Sequence, residues 1–434
     1  MLRLSTIIFY SFLTLVFLIE GLGVRNGHYT SLFIIIVMPF FCYIPLYREK
    51  IKIVLSPTLI VLFLLFIFFS SISTVFSVNI QNSFIYLLLY IALFLVFIYV
   101  QIVKEDIKKI IIPFIFYFSF IFSIVSLVLI FYVKNSMNYF LPVSGFQMVF
   151  SVIGSHNHLG DFLVLPLLIS IYRLIHNAFS KFNLFVIIFF LPFFITSFSR
   201  SAYMTLGIVA ILMVFFYWRR TKKIQPLTII IVCLINILLL FFFLFSVSET
   251  RKIEVLQPVH SYVEETFDLG SKRFTGRRED YYALALVSIA HNPLVGLGPN
   301  NFIYASEKYS EGFIRHSSLA HNFFLEISAE NGIPVGIILL LIIFLIIYRS
   351  KRDIYFFLFL ALLVNFQTDY TYAIYSLLLL LFILLGTIYK GQHFFDIFKG
   401  KVIIELRHLL FFSLIIYLIV FFLISKYIFS VIFI

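Results

Sequence analysis

Long apolar runs separated by short polar stretches make up almost the whole chain. Runs of roughly 18 or more apolar residues recur, the length needed to cross a hydrocarbon core about 30 Å thick. Their continuity excludes the alternating strands of a membrane barrel, and helices satisfy their own backbone in lipid. We therefore predict an all-α polytopic membrane protein of about 12–13 transmembrane helices. The predicted spans are residues 5–20, 30–47, 53–75, 82–102, 109–133, 158–175, 182–198, 201–218, 226–246, 334–348, 353–367, 372–389 and 408–430.

Charge is scarce and unevenly placed. The 434 residues are 62% hydrophobic and 12% charged, and the charged share is about half that of soluble domains. Basic clusters fall between spans, and a cytoplasmic N-terminus puts all of them on the cytoplasmic side, as the positive-inside rule requires. The clusters lie at residues 48–50, 104–109, 173–181, 218–223, 348–352 and 390–401. The last apolar segment either spans, leaving the C-terminus outside, or is re-entrant, or is a helix that packs on a partner.

One long polar passage, residues 247–333, interrupts the apolar pattern. It holds 11 of the 20 acidic residues and 8 of the 32 basic ones. The net charge of +12 therefore comes from the clusters between spans, which argues against a nucleic-acid partner. We predict three parts: an N-terminal transmembrane bundle of about nine helices (1–246), a large extracytoplasmic loop with active-site helices (247–333), and C-terminal transmembrane helices (334–434).

The first half of this loop predicts an amphipathic helix. Gly276 is expected to break any earlier helix, and Arg277 and Arg278 then begin the helical pattern. Arginine pairs suit phosphate, whose oxygens match the planar guanidinium, and a solvated turn next to lipid headgroups is the alternative. Turn residues end the helix and predict a flexible turn: Asn292, Pro293, Gly296, Gly298 and Pro299.

The second half of the loop predicts a helix with a histidine at its start. Ser317 and Ser318 are expected to cap it, and it should end at Asn331–Gly332. His321 then falls in the first turn, where the helix dipole keeps the ring neutral, as a general base requires. A structural histidine is the alternative. His316 and His321 are five residues apart, which does not suit a zinc site on one helical face.

Three further polar sites lie on the predicted outer side. Residues 154–161, which include Asn157 and Asp161, open the sixth span and are expected to line or cap its mouth. Arg200 stands in a very short link between two spans, where an unpaired charge is costly, so a phosphate partner or snorkelling to headgroups is expected. Asp369 is a further candidate.

Together these motifs resemble the O-antigen ligase and polymerase superfamily of bacterial envelope proteins. The resemblance runs from about His156 to Tyr389 and rests on the order of its motifs. They are Asn157 opening a span, Ser199-Arg200 between spans, Gly276-Arg277 with Glu279 and Tyr281, Asn292 to Gly298 with Phe302, Ala320-His321-Asn322 with Leu325-Glu326, and Glu330-Asn331-Gly332. The chain departs from the family pattern at Tyr281, where tryptophan is usual, and in a thirteenth span.

The resemblance implies a metal-independent glycan transferase without a cofactor, acting on a polyprenyl diphosphate-linked glycan donor. Arg200 and Arg277 would hold the diphosphate, and His321 would activate a hydroxyl of the glycan or glycolipid acceptor. The expected substrate-binding residues are Arg278, Asn157, His316, Asn322 and Glu326. The resemblance also implies a protein of the bacterial cytoplasmic membrane. The apolar runs and the charge pattern predict that it is multi-pass, with a cytoplasmic N-terminus, and that its partners include the lipid bilayer but no nucleic acid.

Four functions remain open at this point. The leading hypothesis is a ligase that moves a preassembled glycan from the carrier to a terminal acceptor. A polymerase of the same architecture differs in its acceptor, which is another lipid-linked repeat unit. A flippase or transporter would place charges inside several spans and show inverted symmetry, whereas here the charges concentrate in one outer loop and no internal repeat is visible. A scaffold subunit with a decayed site is the fourth.

Overall fold

The computed structural model confirms an all-α polytopic membrane protein. It describes residues 4–21, 34, 37, 52–55, 57–136, 156–176, 181–197, 199–221, 272–309, 317–389 and 402–405. Three predicted spans, 30–47, 226–246 and 408–430, lie essentially outside these ranges. The α-helices are α1 Leu4–Gly21, α2 Pro57–Val75, α3 Ile80–Ile102, α4 Lys104–Ser136, α5 His156–Ile175, α6 Lys181–Thr196, α7 Arg200–Thr221, α8 Lys272–His291, α9 Phe302–Tyr309, α10 Phe323–Asn331, α11 Ile333–Arg349, α12 Ile354–Thr368 and α13 Tyr375–Ile388.

The apolar helices fall into two length classes. Within the described ranges, α2, α3, α4, α5 and α7 each contain a segment long and apolar enough to cross a membrane. The apolar parts of α1, α6, α11, α12 and α13 are shorter. At about 1.5 Å per residue, a helix of roughly 15 residues covers most of a 30 Å core. Each of these ten helices falls on a predicted span.

Aromatic packing joins the spanning helices around α5, which is the most deeply buried of the long ones. Phe17 of α1 lies with its ring centroid 5.0 Å from Phe114 and 5.3 Å from Phe118, both on α4, and 5.7 Å from Phe162 on α5. Such ring pairs add about 0.5–1.5 kcal/mol beyond the burial of their area. The phenylalanine-rich composition therefore serves helix packing.

A side chain of the first helix caps the start of α13. The backbone N–H groups of Tyr375 and Ser376 donate to the Glu20 carboxylate at 2.8 and 2.6 Å. These N–H groups open α13 and have no partner within their own helix. The C-terminal end of α1 therefore lies beside the N-terminal end of α13.

The basic clusters within the described ranges meet at one end of the bundle. The Tyr355 hydroxyl, at the start of α12, donates to the carbonyl of Lys108 at 2.8 Å. The ring of His176, which follows α5, packs 4.7 Å from Tyr217 near the end of α7. The Arg352 guanidinium, between α11 and α12, lies 5.6 Å from the Phe216 ring. The positively charged connections therefore share one face of the protein.

Two features of this end differ from the prediction. The cluster at residues 104–109 lies within α4 rather than before it, since Glu105 and Asp106 suit the first turn of a helix. Lys52–Leu55 (β1) pairs antiparallel with Val402–Glu405 (β2), with Lys52 opposite Glu405. The sequences KIVL and VIIE are rich in β-branched residues, which favour strands, and Pro57 then begins α2.

Candidate active site

Two polar motifs that lie far apart in the sequence form a backbone-paired turn at the other end of the bundle. We call residues 293–298 and 329–333 the paired turn. Three hydrogen bonds join its halves: Leu297 N–H to the Ala329 carbonyl at 3.1 Å, Gly298 N–H to Glu330 at 2.7 Å, and Ile333 N–H to Pro293 at 2.8 Å. The turn expected to be flexible is therefore fixed by its partner segment.

Glycine is required on both halves of the paired turn. Gly296 has φ +65° and Gly332 has φ +87°, in the left-handed region that side chains rarely adopt. A Cβ atom on Gly296 would overlap the backbone of Glu330, and one on Gly332 would overlap the carbonyl of Leu294. These motif residues are thus explained by close backbone approach rather than by chemistry.

The Glu330 carboxylate ties the paired turn to α9. Its Oε1 accepts the backbone N–H of Phe302, the first residue of α9, at 3.0 Å. The side chain is 3% exposed. Burial and the neighbouring Glu326 carboxylate raise the pKa of Glu330 well above its usual value, although the backbone hydrogen bonds act in the opposite direction. Glu330 is therefore a buried structural acid.

The helix that follows the histidine, α10, is capped by Asn322. Its side-chain oxygen accepts the N–H of Leu325 at 3.0 Å, and its amide donates to the Gln367 carbonyl at 3.1 Å. The expectation that Ser317 and Ser318 cap this helix is wrong, and so is the placement of His321 in its first turn. His321 precedes the cap, because an asparagine side chain is a strong N-cap and takes that position. The predicted end at Asn331–Gly332 is confirmed.

His321 is held between two aromatic rings. Its backbone has φ 56°, which is unusual for a residue with a side chain and persists where the surroundings fix it. The Tyr281 ring stacks on the imidazole with centroids 4.7 Å apart and planes 18° apart. The Tyr370 ring meets it edge-on at 4.8 Å. Tyr281, the departure from the family pattern, therefore places an aromatic ring against the histidine.

Asp369 connects the histidine with an arginine. Its Oδ1 lies 3.4 Å from His321 Nδ1, within ion-pair range but too long and poorly aligned for a good hydrogen bond. Its Oδ2 lies 3.1 Å from an Arg278 guanidinium nitrogen. Burial disfavours the charged carboxylate, but contact with His321 and the charge of Arg278 outweigh it and hold the pKa of Asp369 at about 2. Asp369 is therefore ionised at neutral pH.

Glu326 holds the segment that carries the histidine. Its Oε2 accepts the backbone N–H of Ala320 at 2.7 Å and also the Tyr372 hydroxyl. Burial raises the pKa of Glu326 to about 7, although these hydrogen bonds act in the opposite direction. The side chain is 7% exposed, so both contacts position the neighbouring His321 rather than face solvent.

Comparison with known protein families finds a match for part of the chain. Residues 184–340, about a third of the chain, match the model of the family described as O-antigen ligase. The match confirms the resemblance to the O-antigen ligase and polymerase superfamily, and with it a glycan transferase acting on lipid-linked glycans in a membrane. No curated protein sequence matches the chain.

The O-antigen ligase match includes the predicted arginines as well as the histidine. Arg200 is the first residue of α7, and Arg277 lies in α8, next to Arg278. Helix α8 runs through Gly276, so the prediction that this glycine breaks a helix is wrong: one internal glycine costs only about 1 kcal/mol. Asn157 lies in the first turn of α5 and is half-buried. His316 lies outside the described residues.

Two acids near the O-antigen ligase motifs make more contacts in and around the site than the sequence indicated. Asp369 lies beyond the matched region and was a minor candidate, yet it contacts both His321 and Arg278. Asp161 was expected only to line or cap a helix mouth, and it accepts hydrogen bonds from two other elements. The available signal was an acid at or inside an apolar run, which is costly in a membrane and usually functional.

An apolar cavity of about 40 Å³ lies beside α10 among the spanning helices. Phe323 and Ile327 of α10 line it, together with apolar side chains such as Phe63, Leu93 and Leu381. A lining of this kind suits a hydrocarbon chain and not a sugar or a phosphate.

Proposed function

We propose that the chain is a ligase that transfers a preassembled glycan from a polyprenyl diphosphate carrier to an acceptor hydroxyl. The reaction takes place at the outer face of the bacterial cytoplasmic membrane. The observation that carries this proposal is His321, stacked on one tyrosine, edge-on to another, and next to the ionised Asp369. A histidine oriented by a carboxylate is the arrangement that general base catalysis uses.

His321 supplies the base of the proposed reaction. Because Nδ1 faces Asp369, Nε2 is the nitrogen that accepts the proton of the acceptor hydroxyl. The acceptor oxygen then bonds to the anomeric carbon, and the bond from that carbon to the diphosphate oxygen breaks with its electron pair. Attack opposite the leaving group inverts the anomeric carbon. The ionised Asp369 stabilises the imidazolium that forms.

Arg200 and Arg277 hold the departing diphosphate in this proposal. Arg200 is the first residue of α7. Arg277 lies within α8, next to Arg278, which pairs with Asp369. Fixed guanidinium groups stabilise a developing diphosphate charge without a divalent ion. The apolar cavity beside α10 provides a place for the start of the carrier's hydrocarbon chain.

The orientation of the protein and its three-part division stay part of this proposal. The site lies at the end of the bundle opposite the basic connections, and basic connections face the cytoplasm in membrane proteins. Residues 1–246 and 334–434 then form the membrane bundle, with residues 247–333 as the outer part that supplies α8, α9 and α10. Asn157, His316 and Asn322 remain proposed contacts to the substrates.

The test compares a deletion strain carrying wild type, His321→Ala or empty vector. Surface glycan and extracted lipid-linked glycan are run side by side on gels. We expect His321→Ala to leave long glycan on the carrier and a bare acceptor. If the carrier and the acceptor in the His321→Ala strain hold only single repeat units, the protein is instead a polymerase of the same architecture. Glycans that are normal with His321→Ala but lost with the empty vector would refute the histidine mechanism.

A further inference from the structure

Asp161 is a buried acid inside a membrane-spanning helix, and the proposed reaction does not use it. It lies in α5 and its side chain is fully buried. An ionisable group at such a place is costly unless it is paired, and it usually has a function. Its contacts reach two segments that carry proposed reaction residues.

One oxygen of Asp161 reaches the start of α7. The Ser199 hydroxyl lies 3.3 Å from Asp161 Oδ1 and donates to it. The same hydroxyl oxygen accepts the N–H of Ala202 at 3.2 Å, so Ser199 is the N-cap of the helix that begins at Arg200. Asp161 therefore fixes the cap that sets where Arg200 stands.

The other oxygen of Asp161 reaches the turn that follows α12. The Thr371 hydroxyl donates to Asp161 Oδ2. Thr371 opens the short 3₁₀ turn Thr371–Ala373, two residues after Asp369. One carboxylate thus joins the beginning of α7 to the turn beside the Asp369–His321 pair.

The surrounding residues keep this junction tight. Gly160 has no side chain, and a Cβ atom there would overlap Ser197 and Ser199. The Asn365 side-chain oxygen on α12 accepts the Ser201 hydroxyl of α7 at 3.3 Å, and its amide donates to the Asp161 carbonyl at 3.4 Å. The three helices therefore approach closely through small and hydrogen-bonded groups.

We propose that Asp161 is a positioning residue that sets the distance between Arg200 and the Asp369–His321 pair. This inference rests on the proposed function of Arg200 and His321. A carboxylate suits the task because both of its oxygens accept hydrogen bonds, whereas an amide offers one accepting oxygen. A misplacement of about 1 Å far from the reacting atoms can lower a rate by about 100-fold.

The kinetic test uses Asp161→Asn, Thr371→Val and Ser199→Ala in purified full-length protein with lipid-linked glycan and acceptor. We expect kcat per folded molecule to fall about 10- to 100-fold in Asp161→Asn, with the acceptor KM within about twofold of wild type. Ser119→Ala removes a buried hydroxyl that bonds within α4 and serves as the matched control. A purely structural role would reduce the amount of folded protein while leaving kcat per folded molecule unchanged.

A failure of Asp161→Asn to fold shifts the test to Thr371→Val and Ser199→Ala, since each removes a single hydrogen bond to the carboxylate. Wild-type kcat in both of these variants would overturn the proposal. So would wild-type kcat in folded Asp161→Asn.

A second measurement does not depend on activity. Spin labels at Met204→Cys on α7 and Ser318→Cys beside the histidine segment, both exposed, report the distance between the two sides of the site. The background carries Cys42→Ser and Cys233→Ser. We expect Thr371→Val to shift or broaden the distance distribution and Ser119→Ala to leave it unchanged. If the wild-type protein shows no ligase activity, the proposed function is refuted, but the distance measurement still tests the role of Asp161. An unchanged distance distribution in Thr371→Val would refute that positioning role.

Discussion

His321 Nδ1 and Asp369 Oδ1 lie 3.4 Å apart, although nearly fifty residues and two spanning helices, α11 and α12, separate them in the sequence. The imidazole therefore faces a carboxylate that stands at the C-terminal end of α12. His321 belongs to the polar passage 247–333 and Asp369 to the end of α12, so their contact joins this passage to the membrane helices.

The His321–Asp369 pair predicts non-additive losses of activity. His321→Ala should lower kcat about 10²- to 10⁴-fold, the usual contribution of a general base. Asp369→Asn should lower it about 100-fold, and the double variant should be no worse than His321→Ala alone, because Asp369 acts through the histidine. Steady-state kinetics on purified protein measure these values.

Asp353→Asn is the matched control for the Asp369 variant. Asp353 caps the other end of the same helix, α12, by accepting the N–H of Phe356 at 3.2 Å. It should keep kcat near wild type. Multiplicative losses in the double variant of His321 and Asp369 would show that the two residues act independently.

Diphosphate binding predicts that lysine cannot replace Arg277. Lysine keeps the charge but loses the two parallel donors of the guanidinium. Arg277→Lys should therefore lose roughly 100-fold in kcat, close to the loss in Arg277→Ala. Arg219→Lys, in an exposed position at the far end of α7, is the control. Full activity of Arg277→Lys would count against bidentate binding.

The proposed arginines predict that turnover needs no divalent ion. Transfer assays with purified protein should proceed at the same rate with EDTA as without it. Inhibition by EDTA that added Mg²⁺ reverses would replace the arginine mechanism with a metal-assisted one.

Glu326 predicts that stability falls as the pH rises. Its pKa is about 7 in the folded protein, against 4.5 for a free glutamate side chain, so the folded state keeps a proton that the unfolded chain has released. The contribution of Glu326 to the free energy of unfolding is fully present below pH 4.5. It is lost as the pH rises through 7, by about 3 kcal/mol in total. The free energy of unfolding of Glu326→Gln should therefore fall less than that of wild type between pH 5 and 8, by roughly 2–3 kcal/mol, and its melting temperature should vary less with pH.

Glu307→Gln provides the control for the Glu326 experiment, because Glu307 lies on the exposed side of α9. Its melting temperature should follow the wild-type pH dependence. The same pH dependence in Glu326→Gln and wild type would mean that Glu326 is not protonated in the folded protein.

The basic end of the bundle predicts the orientation in the membrane. A cysteine at Ser318, near His321, should react with an impermeant thiol reagent in intact cells, or in spheroplasts if there is an outer membrane. A cysteine at Lys351, exposed between α11 and α12, should react after lysis and not before it. The reverse result would place the site on the cytoplasmic side.

Sequence periodicity and charge predict the membrane helices well, because apolar length and basic flanks are local properties. They predict the site less well, because its contacts join distant segments. The capping choice illustrates this difference: Ser317, Ser318 and Asn322 are all good caps, and Asn322 is favoured by its second contact with Gln367 on α12. That contact has no local signal.

The acids show the same limit. Nothing in the sequence around Asp369 indicates that Arg278 and His321 would neutralise its charge. The glycines of the paired turn were read as flexibility, whereas Gly296 and Gly332 serve close backbone contact. Residue type alone does not separate these cases, because both need the same freedom in φ.

The Glu20 cap on α13 has a consequence for biosynthesis. The acid enters the bilayer with the first helix, but its hydrogen-bond donors at Tyr375 and Ser376 are translated some 350 residues later. An acid without a partner in lipid is costly, so α1 takes its final position in the bundle only after residues 375 and 376 have been made. The packing of α1 against α13 is therefore completed near the end of translation. In a chain truncated before residue 375, the Glu20 carboxylate would lack both of its backbone donors.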